Sequence, residues 1–159
     1  FDIIIKLNSE GHDIECTIAG AIEDENLRPF VDYLDRLWFC NYLGHIECVD
    51  DFFKNIDILI FPSRREGFGM VALESGAFGV PVIAYDIHGV RDAVINNSTG
   101  KLIKRYEVNK MYEQIKLLCN NSNEVKRLGK KARSNAKDNF NSEHLVSEHI
   151  RLVKSILKE

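Results

Sequence analysis

A basic excess is missing from this 159-residue chain: 21 Lys and Arg stand against 24 Asp and Glu, a formal charge of -3. That balance removes the electrostatic footprint on which nucleic-acid binding depends. No apolar run approaches the length needed to span a bilayer. The four cysteines, Cys16, Cys40, Cys48 and Cys119, form no CxxC pair and have no histidine at metal-ligand spacing. They read as reduced, mostly buried thiols rather than zinc ligands or disulfide partners. No Asp-x-Asp pair suited to Mg stands in a loop, and neither an internal repeat nor a low-complexity tract is visible. What the chain does have is apolar content, 45% of its residues, enough to bury a core of ordinary domain size. Its one basic cluster, Lys126, Arg127, Lys130, Lys131 and Arg133, reads as a solvated helix face, with attraction to an anionic membrane surface as the alternative.

Short apolar runs alternate with helical periodicity along most of the chain. Strands are expected over residues 12–19, 39–43, 58–61, 81–85 and 101–103, and helices over 24–37, 49–55, 69–78 and 90–95. Helices over 107–119, 124–137 and 142–157 close the chain, while the first residues read as the second half of a helix, as in a fragment of a larger protein. This alternation predicts an α/β domain, residues 1–159, with a doubly wound, Rossmann-like parallel sheet, helices on both faces, and a run of C-terminal helices. Ligands bind such sheets beyond the carboxyl ends of the strands. The turns at Gly20, Gly44-His45, Pro62 to Gly69 and Asp86 to Gly89 all hold that position and are expected to converge on one crevice.

The most informative stretch is Phe61-Pro-Ser-Arg-Arg-Glu-Gly-Phe-Gly-Met-Val-Ala-Leu-Glu74. A strand, a turn bearing Gly67 and Gly69, and then a helix put free backbone N–H groups at a helix N-terminus, where phosphates bind. Glu66 and Glu74 bracket that cradle with acceptors suited to sugar hydroxyls, which suggests a sugar nucleotide. Gly67-Phe-Gly69-Met-Val-Ala72 also satisfies the dinucleotide pattern G-x-G-x-x-A, and Asp86 follows about twenty residues on. Residues Pro62 to Glu66 argue against NAD, because they separate strand from glycine and would set a carboxylate against the pyrophosphate. Two glutamates near a helix start could also serve only as favourable charges at its positive end.

Other candidates have plainer readings. Arg64 and Arg65 are expected to be solvated loop arginines, with phosphate contact the alternative. His45 reads as a turn residue, His144 and His149 as surface residues, and Trp38, Phe30, Phe39, Phe52 and Phe61 as core. Phe68, between two glycines, is expected at the pocket mouth. The apolar stripe Leu145, Ile150 or Val153, and Ile156 would either pack locally or meet another part of a longer protein.

Glu66-Gly-Phe-Gly-Met-Val-Ala-Leu-Glu74 is a Glu-x7-Glu motif and resembles that of the retaining glycosyltransferases called group 1 or family 4. Cys16-Thr-Ile-Ala-Gly20, Tyr42-Leu-Gly44, Asp57-Ile-Leu-Ile-Phe-Pro-Ser63, Gly79-Val-Pro-Val-Ile-Ala84 and Asn97-Ser-Thr-Gly-Lys-Leu-Ile103 stand in the order that family shows. The resemblance implies the C-terminal, donor-binding half of a GT-B enzyme, with an acceptor half upstream. It implies that Glu74 accepts from the ribose hydroxyls, Glu66 contacts the transferred sugar, and the N–H groups of Gly67, Phe68, Gly69, Met70 and Val71 hold sugar and diphosphate. Gly44, His45 and Ile46 would line the base through main chain. The family's diphosphate-gripping Arg and Lys would lie upstream of Phe1. In the loop after Tyr85, Asp86-Ile-His-Gly-Val-Arg-Asp92 departs from the family's usual glycine pair and leaves His88 and Gly89 as candidates near the phosphates.

The implied reaction moves a sugar from a nucleotide sugar to a carbohydrate or lipid-linked acceptor, without metal or other cofactor, by front-face displacement with retention. A role in cell-envelope polysaccharide or glycolipid synthesis, in the cytoplasm and at the inner face of the membrane, goes with it. A GT-B-fold sugar-nucleotide epimerase and a non-catalytic nucleotide-binding domain are the alternatives.

Overall fold

The computed structural model describes residues 1–157, without the side chains of residues 142–145, so the expectations for His144 and Leu145 lie outside the described residues. The chain divides into two compact units, Phe1–Ile56 and Asp57–Glu159. Strands and helices alternate as the sequence predicts, and every ladder is parallel, but the strands form two sheets, one in each unit.

In the first unit, α1 (Asp2–Ser9) precedes β1 (Cys16–Ala19), α2 (Arg28–Leu34), β2 (Cys40–Gly44) and α3 (Val49–Lys54). The helix expected over 24–37 is shorter. Pro29 lacks an N–H and has a preset φ, so it suits the first turn, and the α-helix starts there behind a 3-10 turn at Glu25–Leu27 capped by the Asp24 carboxylate. Beyond Leu34 the chain turns, and Asp35 accepts from the Tyr42 N–H at 3.0 Å. Trp38 falls in this turn and is 79% exposed; Phe30, on α2, is 40% exposed and makes an edge contact with Phe1 at 5.6 Å. Neither is core, and the buried apolar residues of this unit are Ile4, Leu7, Leu34, Cys40 and Phe53. Phe39 and Phe52, also expected in the core, are only half-buried.

Cys16 pairs with Cys40 across the β1–β2 ladder. Burial and the adjacent Cys40 push the Cys16 thiol up to about 11, which leaves it protonated and unreactive near neutrality. Cys48 and Cys119, in contrast, are exposed. One precedes α3 and the other ends a later helix, positions where burial is incomplete.

The second unit holds β3 (Leu59–Phe61), α4 (Met70–Ala77), β4 (Val82–Tyr85), α5 (Val90–Ala93) and β5 (Gly100–Ile103), followed by α6 (Val108–Cys119), α7 (Ser122–Asn139) and α8 (Ser142–Leu157). The order β3-β4-β5 puts β4 in the middle, which is why Val82, Ile83 and Ala84 are all buried, an apolar run with no polar alternation. Phe61, at the end of edge strand β3, is half-buried rather than core. Val90, Val94, Ile103, Met111, Ile115, Leu118 and Leu128 are buried in the same core. Ile150, Val153 and Ile156 on α8 stay exposed.

The end of α4 is fixed by main chain. Gly79 (φ +80°) closes a Schellman motif, in which Val80 N–H donates to Ser75 O at 3.0 Å and Gly79 N–H to Gly76 O at 2.8 Å. The Ser75 hydroxyl, fully buried, donates to Val80 O at 3.0 Å. Gly129 of α7 lies against this turn so closely that a Cβ there would overlap the Gly79 carbonyl and stand 3.4 Å from Pro81 Cδ. One face of α7 is therefore made of Gly129, Ala132 and Ala136, all buried.

A second tie joins α7 to β5. Arg127 donates to both Glu124 oxygens, at 2.6 and 2.8 Å, and to Asn97 O at 2.9 Å, while Lys101 of β5 stands 3.5 Å from Glu124. The hydrogen bonds from Arg127, then its charge and that of Lys101, lower the Glu124 carboxyl from an ordinary value of 4.5 to about 2.

Two outcomes follow for stability. Gly→Ala in a helix interior ordinarily stabilises by about 1 kcal/mol, but Gly129→Ala should lower the urea midpoint, because overpacking costs about 1–3 kcal/mol. A raised midpoint would rule out the close approach. For Glu124, whose folded pKa is depressed, the stabilising contribution is present above about pH 4.5 and is lost as pH falls through about 2. Urea melts of wild type and Glu124→Gln should differ at pH 7 and converge toward pH 2; a gap independent of pH would remove the ion pair as its cause.

Candidate functional site

Two loops leave the carboxyl ends of β3 and β4, and the second unit is organised where they meet. The first, Pro62 to Gly69, ends in Gly69 at φ +72°, which no side chain adopts cheaply, and the chain then enters α4. A Cβ on Gly69 would also lie 3.3 Å from Val90 Cα. The second loop, Asp86 to Gly89, brings Gly89 (φ +85°) so near the first that a Cβ would stand 2.6 Å from Gly67 O and 2.8 Å from Glu66 O. Glycine is the residue that meets both demands, and the contact sets the path of Glu66-Gly67.

Among the described residues, the N–H groups of Gly67, Phe68, Gly69, Met70 and Val71 donate to no acceptor in the protein. The α4 N-terminus thus presents a run of unused donors at the positive end of the helix, the arrangement that binds anions. Gly67 faces open space, with no atom within 4 Å of the place a Cβ would take, so a ligand can approach its main chain directly.

The two glutamates line different cavities. Glu66, half-buried, lines a cavity of about 370 Å³ together with Arg64, Arg65, Asp86, Ile87, His88, Arg91 and Arg105. Glu74, also half-buried, lines another of about 370 Å³ with Leu73, Ala77, Arg133, Ala136, Lys137 and Phe140. The α4 N-terminus lies between the two glutamates in sequence. Phe68 is half-buried, and its ring meets Phe140 edge-on at 5.6 Å, so the side chain packs on the end of α7 while its N–H stays unused. Met70 is 54% exposed and Val71 42%.

In the first unit, Gly44 (φ +66°) ends β2, and Gly20 N–H donates to Gly44 O at 2.8 Å while the Tyr42 hydroxyl donates to Gly20 O at 2.8 Å. The turns at the carboxyl ends of β1 and β2 therefore lie side by side. His45 is exposed and Ile46 half-buried.

Sequence reasoning passed over Arg105 and Tyr106. They follow β5 directly and so stand beyond the carboxyl end of a strand, the one signal that would have found them. Arg64 and Arg65, read as solvated, share the Glu66 cavity with Arg105.

Residues 2–135 match the family described as glycosyl transferases group 1. The chain belongs to that family. It is 30% identical over its full length to the capsular polysaccharide biosynthesis glycosyltransferase CapM of Staphylococcus aureus, of which it covers 42%. It is 29% identical over 97% of its length to the poly(ribitol-phosphate) alpha-N-acetylglucosaminyltransferase of the same species, of which it covers 30%. The structure of Anabaena HepE in complex with UDP superposes with a TM-score of 0.80 at 18% identity, covering 99% of this chain and 45% of that one. The fold is thus of the GT-B type, and the chain spans less than half the length of these relatives.

The loop contact makes a paired test. Gly89→Ala should destabilise the family domain by about 1–3 kcal/mol through overlap and a left-handed φ. Gly67→Ala, which meets nothing, should shift stability by less than about 0.5 kcal/mol. Thermal melts of the two variants read the difference, and equal effects would dismiss the loop contact.

Proposed function

We propose that this chain binds the nucleotide-sugar donor of a retaining, metal-independent glycosyltransferase that builds a cell-envelope polysaccharide or glycolipid. The observation that carries the reading is the run of five unused N–H groups at the α4 N-terminus, from Gly67 to Val71, flanked in sequence by Glu66 and Glu74. Membership of the group 1 family supports the reaction class, and the capsular role of CapM supports the pathway. A fold neighbour that holds UDP supports a nucleoside diphosphate as the ligand.

The chemistry fits the arrangement. Cleaving the sugar–phosphate bond builds negative charge on the departing diphosphate and positive charge on the sugar ring. Fixed donors aimed at the diphosphate offset the first without reorganising as the bond breaks. A carboxylate held beside the ring by the Gly89 contact, Glu66 in this reading, favours the second and orients the sugar. Glu74 takes the ribose hydroxyls. The sugar is then passed to a carbohydrate or lipid-linked acceptor. No helix among the described residues is long and apolar enough to cross a membrane; the reading puts the work in the cytoplasm, with peripheral contact at the inner face of the membrane.

Calorimetric titration with UDP, GDP and ADP tests the donor site. One nucleoside diphosphate should bind with EDTA present, and Glu74→Ala should weaken it by about tenfold, the loss of one charged hydrogen-bond acceptor. Undiminished binding in the variant would remove Glu74 from the site. In a transferase carrying this chain, proton NMR should find the donor's anomeric configuration in the product, and the opposite anomer would sink retention.

A further inference from the structure

The cavity beside Glu66 carries more positive charge than a donor diphosphate at the α4 N-terminus uses. Four guanidinium groups, Arg64, Arg65, Arg91 and Arg105, line it with only two carboxylates, Glu66 and Asp86. Arg91 is committed, since its Nε donates to Asp86 Oδ1 at 2.5 Å. Among the described residues Arg64, Arg65 and Arg105 have no carboxylate partner.

Two of these three are held together by a strained residue. Tyr106, which follows the strand β5, has φ +71°, a left-handed conformation that costs a bulky side chain energy. Its ring lies under both guanidiniums, 4.9 Å from Arg105 Cζ and 6.0 Å from Arg64 Cζ. Arg105 Nη1 also reaches Arg64 O at 3.5 Å. Two like charges held against one aromatic ring repel, and an anion bound beside them would offset that cost.

We propose that Arg64, Arg65 and Arg105 form an oxyanion subsite beside Glu66, which takes a carboxylate or phosphate group carried by one of the two sugar-transfer substrates, outside the donor diphosphate. The proposal rests on the donor reading above for the identity of the substrates. A cavity of about 370 Å³ is large enough for such a group together with part of a sugar ring. Planar guanidiniums grip carboxylate and phosphate oxygens in pairs, which suits recognition of a fixed group better than loose charge attraction. Two sources share this chemistry: an acidic sugar on the donor, or a phosphate on the acceptor.

The experiment is an NMR titration of the chain, following the arginine side-chain and Gly67 to Val71 amide signals, with UDP, UDP-glucose, UDP-glucuronate and glycerol 3-phosphate as probes. It is repeated on Arg64→Gln and Arg105→Gln, whose folding is checked by the dispersion of the same spectra. If the donor supplies the anion, UDP-glucuronate binds about tenfold more tightly than UDP-glucose, and both variants erase the preference. If the acceptor supplies it, glycerol 3-phosphate shifts the Arg64 and Arg105 signals, and both variants abolish the shift. Equal affinity for the two UDP-sugars together with silence toward glycerol 3-phosphate overturns the proposal. Loss of UDP affinity in the variants, with no added preference for either anionic probe, also overturns it, by assigning the guanidiniums to the donor diphosphate. Silence of Gly67 to Val71 toward every UDP compound would count against the donor reading, while glycerol 3-phosphate binding would still report on the subsite by itself.

Discussion

The second unit depends on main chain meeting main chain at Gly89. Where that residue touches the carbonyls of Glu66 and Gly67, the loops after β3 and β4 become one surface. The main-chain path at Glu66 and Gly67, which leads into α4, follows from it. A contact of this kind has no rotamers to search. It gives the N–H groups at the α4 N-terminus the fixed geometry that charge stabilisation in the proposed reaction needs, since groups that must move into place as charge develops lose much of their benefit. The neighbouring approach of Gly69 to Val90 extends the same logic one step into the helix.

Around this contact the unit sorts its polar groups by task. Ser75 and Thr99 are buried and satisfied within the fold, the first on Val80 O and the second through the Ile95 main chain. The ion pair of Glu124 with Lys101 ties α7 to β5, and the Arg127 hydrogen bond to Asn97 O ties it to the turn before. The unused donors and the unpaired guanidiniums, by contrast, gather at the carboxyl ends of the strands. Among the described residues, every buried polar side-chain atom has a partner within the fold.

Much of this was legible in the sequence, for physical reasons. The alternation of apolar runs with helical periodicity identified every strand and helix of the second unit, because β4 is buried on both faces and must read as continuous Val-Ile-Ala. The glycines of the loop announced a helix start, and α4 begins directly after Gly69. What the sequence hid was whatever depends on which way a side chain turns. Trp38 is a large aromatic that belongs to a turn and stays exposed, and Phe68 turns onto Phe140. Glu66 and Glu74, eight residues apart, line separate cavities. Arg105 and Arg64 are forty-one positions apart, so only folding brings them to one ring.

The seam between α4 and α7 has a consequence for how such a domain can diverge. Gly129 lies on the Gly79 carbonyl, and Gly76 faces Ala132, so neither helix offers a side chain that could be resized without pushing the other. The helix that holds the donors is locked to its neighbour by atoms common to all residues. Arg64, Arg65 and Arg105, on exposed loops, carry no such burden. On the proposed reading, substrate choice can change by exchange of loop side chains around a cradle that does not shift, which leaves scaffold and recognition to separate residues.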